Sequence, residues 1–265
     1  MPGAGTIDSH THLDAADCVT PDQVRAAMDR AAAVGVNRAV TVADDLESAH
    51  WVVGAADADD RVLAAVALHP TRANLLDDAA REQLEKLAGG ARVVSVGETG
   101  LDYYWPGRME DCASPEQQRE AFAWHIELAK RLDKPVMIHD RDAHDDVLAV
   151  LRAEGAPERV IFHCFSGGPE LARACADAGY YMSFAGTVTF KNASALREAA
   201  ALAPAELLLV ETDAPFLTPH PHRGRTNEPY CLPWTVRALA AARVEDVYSV
   251  MDATRHNAER VFGLT

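Results

Sequence analysis

Apolar residues along this chain gather into short, nearly unbroken runs that alternate with longer stretches of helical period. The runs lie at 5–9 (GTIDS), 38–43 (RAVTVA), 62–68 (VLAAVAL), 93–97 (VVSVG), 135–139 (PVMIH), 159–163 (RVIFH), 180–185 (YYMSFA) and 207–212 (LLLVET). Runs of this length without polar alternation are what parallel strands buried on both faces require. Helix signals stand between them. Thr20 followed by Pro21 marks one helix start and Gly35 its end, and SPEQ at 114–117 reads as a capping box on Ser114 and Gln117. Eight strands with intervening helices predict an α/β fold, a closed (β/α)8 TIM barrel, and 265 residues suit one such domain spanning 1–265. An open doubly wound sheet is the alternative, but no Gly-rich dinucleotide turn follows the first run. The irregular stretch 214–233 (APFLTPHPHRGRTNEPYCLP) follows the eighth run and is expected to cover the barrel mouth. Helices near 233–242 and 245–262 are expected to complete the outer ring.

Charge narrows the function. The formal net charge is −15, whereas a protein that binds duplex DNA by its overall field is basic. A nucleic-acid substrate would therefore be gripped locally, by metal ions and a few arginines. Cys18, Cys112, Cys164, Cys175 and Cys231 are odd in number and show no paired spacing, which fits reduced thiols. The N-terminus shows no basic region followed by an apolar stretch, and the longest apolar run is too short to cross a bilayer. The expectation is a cytoplasmic protein without membrane association, monomeric rather than oligomeric.

In a barrel the chemistry sits at the C-terminal ends of the strands. Those ends carry His10 and His12, His69, Glu98, His139, His163 and Asp213. His10 and His12 are two apart on the first run, so both imidazoles point the same way, flanked by Asp8 and Asp14. The stretches GETGLD (97–102), IHDRDAH (138–144), FHCFSGG (162–168) and ETDAPF (211–216) each place an N or O ligand where an apolar strand stops. Imidazole and carboxylate together suit Zn²⁺, Mn²⁺ or Mg²⁺, and a carboxylate can bridge two ions.

From DSHTHLD at 8–14 to RHNAERVFG at 255–263 the chain resembles the TatD-family metal-dependent hydrolases. The resemblance implies an amidohydrolase-like barrel with a site for two divalent metal ions. Carried over by position, His10, His12, Glu98 and Asp213 would hold one ion. Glu98, His139 and His163 would hold the second, with Glu98 as the bridge. Two positions depart from the family pattern: Thr11 stands where many relatives have Cys, and Asp140 where relatives commonly carry a small hydroxyl residue. The implied function is divalent-metal-dependent hydrolysis of phosphodiester bonds in DNA, as a 3′-5′ exonuclease on single-stranded or frayed 3′ ends. Asp213 would position the attacking water and take its proton, with Glu98 as its catalytic partner. The alternatives are an esterase or deacylase, such as an aminoacyl-tRNA deacylase, and a nucleic-acid-binding protein on a degenerate barrel.

Candidate substrate contacts are His69, Tyr103, Arg141 and Arg223, with Tyr104, Trp105, His220, His222 and Arg225 around the same mouth. Cys164 is expected to pack away from the site, because adjacent strand side chains face opposite ways. His50, His125 and His144 are read as surface or core residues, and His256 and Asn257 as structural ones.

Overall fold

The computed structural model describes residues 5–16 and 18–264. Its strands are β1 (Thr6–Thr11), β2 (Val36–Val42), β3 (Val62–Val66), β4 (Val93–Asp102), β5 (Val136–Arg141), β6 (Val160–Phe162), β7 (Tyr181–Phe184) and β8 (Leu208–Val210). They form one parallel sheet in chain order, each strand hydrogen-bonded to the next. The seam between β8 and β1 is joined just above the strand ends. There Asp213 N–H donates to the His10 carbonyl at 3.0 Å and His12 N–H to that of Ala214 at 2.7 Å. Asp8 braces the same seam by accepting the Thr212 N–H (2.9 Å) and hydroxyl (2.6 Å). The result is the predicted (β/α)8 barrel.

The helices are α1 (Pro21–Ala32), α2 (Leu46–Ala58), α3 (Asp78–Ala88), α4 (Pro115–Leu132), α5 (His144–Glu154), α6 (Pro169–Ala178), α7 (Ser194–Leu202), α8 (Leu232–Arg243) and α9 (Val247–Phe262). Thr20 caps α1 with Gln23 at the third helical position, and Ser114 caps α4 with Gln117. Both satisfy helix-start N–H groups that have no partner within the helix. No helix among the described residues is long and apolar enough to cross a membrane.

Two apolar layers hold the barrel. The larger lies between strands and helices. The smaller fills the interior with Ile7, Val40, Val42, Leu63, Ala65, Val94, Met137, Ile161, Tyr181 and Leu209, and α9 closes its floor with Ala258, Val261 and Phe262. Above that packed floor the imidazoles and carboxylate of His10, His12, Glu98, His139 and His163 gather toward the end where the strands finish.

Candidate metal centre

Two irregularities in the sheet aim the key side chains. Along β1, Asp8 stands opposite Ala39 and Thr11 opposite Thr41, so Ser9 and His10 share the single partner Val40. Without that bulge the inward-facing Ile7 would put His10 and His12 on the outer face. Along β4, Val96 pairs with Val136 and Thr99 with Ile138, so Gly97 and Glu98 share Met137. Glycine is required there, since a Cβ at Gly97 would stand 2.5 Å from the Met137 Cβ.

The bulges converge on Glu98, which is buried and surrounded by five imidazoles. Glu98 Oε2 lies 2.6 Å from His163 Nε2, 3.5 Å from His139 Nδ1 and 3.8 Å from His10 Nε2. Glu98 Oε1 lies 3.7 Å from His69 Nε2 and 3.9 Å from His12 Nε2. His10 Nε2 and His12 Nε2 are 3.1 Å apart, and Asp213 Oδ1 is 3.6 Å from each. Ligands at roughly 2.0–2.2 Å around one tetrahedral ion stand about 3.4 Å apart. His10, His12 and Glu98 therefore form one group able to hold an ion, and Glu98, His139 and His163 a second. Glu98 Oε2 is buried without a well-aligned hydrogen bond from any of the described residues, as expected of an atom built to meet a cation. The donor set, imidazoles around carboxylates, fits Zn²⁺, Mn²⁺ or Mg²⁺.

The electrostatics follow from crowding these groups in a water-poor space. Burial alone would raise the Glu98 carboxyl, but the His163 and His139 imidazoles outweigh it and hold the group well below the usual range. Burial opposes charge on His163, yet Glu98 and Glu211 hold it well above its ordinary value. His139 likewise rises, against burial, to about 9 through Asp102 and Glu98. Burial and the neighbouring His163 keep His10 neutral, and burial with His139 lowers His69 to about 3. Asp213 is pushed by burial up to about 7, in spite of His163 and His12 nearby. A pocket that sustains this much mutual perturbation has the character of a functional site.

All six residues of the expected ligand set thus come together, and His69 joins them. Thr71 N–H donates to His69 Nδ1 at 3.2 Å, so a neutral His69 carries its hydrogen on Nε2, the atom facing Glu98 and His139. The substrate-contact residues divide. The Tyr103 hydroxyl donates to Asp146 at 2.6 Å, turning Tyr103 toward the first turn of α5. Its neighbours Tyr104 and Trp105 instead carry Arg141, whose guanidinium sits 3.9 Å and 5.5 Å from their ring centroids. Arg223 rests 4.1 Å over the Phe190 ring and donates to the Thr218 carbonyl, on the exposed side of the long loop.

Asp140 Oδ2 accepts from His144 Nδ1 of α5 at 2.6 Å, which turns that oxygen toward the helix layer. Cys164 does not follow the strand alternation expected of it. It lies past the end of β6 in the left-handed region, φ 40°, and the carboxylates of Asp213, Glu211 and Glu98 add to burial in pushing its thiol up. His125 is a core residue, donating from Nδ1 to the Ala121 carbonyl at 2.7 Å and accepting the Leu68 N–H on Nε2.

Sequence reasoning passed over several residues. Asp102 accepts from His139 Nε2 at 3.0 Å, and Glu211 lies 3.3 Å from His163 Nδ1. Both belong to stretches singled out above, GETGLD and ETDAPF, but each was overshadowed by a stronger candidate beside it. Phe216 is more than half exposed although apolar (54 %), with its ring 5.9 Å from that of His12.

The chain is similar to several proteins described as metal-dependent hydrolases. A Mycobacterium tuberculosis protein described as the uncharacterized metal-dependent hydrolase TatD is 62% identical over 97% of this chain and 98% of its own length. A Bacillus subtilis protein described as the uncharacterized metal-dependent hydrolase YabD is 37% identical over 97% of this chain and 98% of its own. Among solved structures, YjjV, a TatD homologue from Escherichia coli K12, superposes with a TM-score of 0.89 at 30% identity, covering 98% of each chain. A TatD-family hydrolase from Entamoeba histolytica gives 0.84 at 18% identity over all of both chains, a likeness of fold. The family model described as TatD related DNase matches residues 7–263, and the chain belongs to that family.

Proposed function

We propose that this protein is a metal-dependent hydrolase that cleaves phosphodiester bonds of DNA from a 3′ end. The observation that carries the reading is Glu98, one buried carboxylate with five imidazole nitrogens within 2.6–3.9 Å. A charged group so placed is costly unless cations share it. His10, His12, Glu98 and Asp213 would hold one divalent ion, and Glu98, His139 and His163 the second. Such ions, when bound, supply Lewis acidity toward phosphoryl oxygens and bring the pKa of water toward neutrality.

The remaining work belongs to the chain. Asp213 takes the proton of the attacking water on a carboxylate oxygen, a role suited to its place past the end of β8 with Oδ1 3.6 Å from both His10 and His12 Nε2. His69 presents its Nε2–H to a phosphoryl oxygen and so orients the scissile bond. Arg141, steadied on Tyr104 and Trp105, and Arg223, on Phe190, offer cations at the rim for flanking phosphates. The family membership supports a DNA substrate, and the completeness of the ligand set argues against a binding protein on a decayed barrel.

The test supplies metal-stripped protein with Mg²⁺, Mn²⁺ or Zn²⁺ and offers it end-labelled single-stranded DNA and aminoacyl-tRNA in parallel. The expected result is stepwise shortening of DNA from the 3′ end, dependent on added metal. Release of the aminoacyl group with intact DNA would instead establish the deacylase reading, and no turnover of either substrate would contradict both.

A further inference from the structure

Resting on the two-ion reading, we propose that Asp102 and Glu211 are positioning residues that select which ring nitrogen His139 and His163 present to the ion beside Glu98. The two histidines are oriented oppositely. His139 sets Nε2 against Asp102 Oδ2 at 3.0 Å and turns Nδ1 to 3.5 Å from Glu98 Oε2. His163 sets Nδ1 against Glu211 Oε1 at 3.3 Å and turns Nε2 to 2.6 Å from the same Glu98 oxygen. An ionised carboxylate only accepts, so each contact draws the imidazole hydrogen to the rear nitrogen and leaves the front lone pair for an ion.

Both carboxylates are fully buried and held by backbone N–H groups. Asp102 Oδ1 accepts from Tyr104 at 2.9 Å and Trp105 at 3.1 Å, and Glu211 Oε1 accepts from Cys164 at 2.7 Å. Glu211 Oε2 has no hydrogen-bond partner among the described residues, although His10 and His163 are near enough to form a ligand group with that side chain. A carboxylate kept in such a place serves something other than fold stability.

The other pair of histidines lacks this backing. His10 Nδ1 meets the thioether of Met137 at 3.1 Å, a weak acceptor. His12 Nδ1 is 3.8 Å from Asp44, whose side chain is half exposed. The chain therefore strengthens the imidazoles of one ion pocket and not of the other.

The experiment titrates metal-stripped full-length protein with Mn²⁺ by calorimetry, in wild type and in D102A, D102N and E211Q, and records the unfolding midpoint of each metal-free protein. Wild type should show two binding steps. D102A should weaken one step by about 10- to 100-fold and leave the other within about threefold. E211Q, whose amide oxygen still accepts but carries no charge, should weaken the same step by a smaller factor that still exceeds about threefold. D102N keeps an acceptor oxygen and should recover part of the loss. Long-range ¹H–¹⁵N spectra of the Zn²⁺-loaded wild type should place the hydrogen of His139 on Nε2 and that of His163 on Nδ1. The proposal is overturned if both steps stay within threefold of wild type in D102A and E211Q. It is equally overturned if D102A loses both steps together with its unfolding midpoint while E211Q binds normally, since Asp102 would then merely hold the Tyr104 turn. Failure of the wild type itself to bind two ions would bring down the two-ion reading, and this proposal with it, whatever the variants do.

Discussion

Asp213 stands just past β8 with its backbone in the left-handed region, φ 54°, and its Oδ1 3.6 Å from both His10 and His12 Nε2. Burial raises its carboxyl to about 7, so the fold already accommodates the uncharged form. Asp213→Asn should therefore keep the wild-type unfolding midpoint while kcat falls by about 10²–10⁴, since the amide cannot take the water's proton. Near-normal turnover in that variant would remove the assigned role. His125 makes a different residue-level prediction. Burial lowers it to about 4, against an unfolded value near 6.5, and its Nδ1–H and Nε2 are both engaged as in the neutral ring. In that window the unfolded chain binds a proton that the native state refuses, so the stabilisation is complete above pH 6.5 and is lost as pH falls toward 4. The loss amounts to roughly 3 kcal/mol. Urea unfolding of wild type and His125→Gln between pH 4 and 7 should show a shallower pH dependence in the variant. Parallel curves would rule the assignment out. His10, His12, His139 and His163 were legible because each stops an apolar run. Asp102 and Glu211 were not, because their partners lie 37 and 48 residues away and meet them only in the folded barrel, Asp102 from the strand beside His139 and Glu211 from beyond β8, two strands from His163.

Among the elements, the bulges decide which face the chemistry occupies. Read by strict alternation from Ile7, β1 would turn His10 outward, and only the sharing of Val40 by Ser9 and His10 restores it. Alternation correctly implied that His10 and His12 point together, but nothing in the residue pattern announces a bulge. The strands were otherwise readable as apolar runs, with their ends displaced by a few residues. The run expected at 93–97 continues to Asp102, because GETGLD stays paired with β5. The run expected at 207–212 leaves the ladder after Val210, where Glu211 turns to Cys164 and Thr212 to Asp8. The long loop meets the site at its start, where the Phe216 ring stands 5.9 Å from that of His12. Asn227 ties its two ends together by donating to the Thr212 carbonyl at 2.8 Å and the Phe216 carbonyl at 2.6 Å. The β4 bulge gives the test at this scale. Gly97→Ala would set a methyl group 2.5 Å from the Met137 Cβ, so β4 must shift and carry Glu98 with it. We expect a loss of about 1–3 kcal/mol in unfolding stability, together with weaker Mn²⁺ binding in both steps. Unchanged metal affinity in a folded Gly97→Ala protein would show that the bulge does not aim Glu98.

For the whole molecule, a net charge of −15 sets the terms on which a polyanion can be held. On the proposed function, long-range repulsion would leave binding to the ion site and to rim cations such as Arg141 and Arg223, two or three phosphate contacts in all. The logarithm of the affinity for single-stranded DNA should then fall against the logarithm of salt with a slope of roughly −1.5 to −2. Removing either arginine should flatten that slope by about 0.7 without changing metal content. A slope near that of a duplex-binding repressor would mean a broad basic surface that the sequence does not provide. The claim on which the rest depends is that Glu98 lies between two ions. Anomalous scattering from Mn²⁺-soaked crystals tests it most directly. Two peaks should flank the Glu98 carboxylate, one within roughly 2.0–2.3 Å of His10, His12 and Asp213 and the other at the same distance from His139 and His163. A single peak away from Glu98, or none at saturating Mn²⁺, would contradict the account.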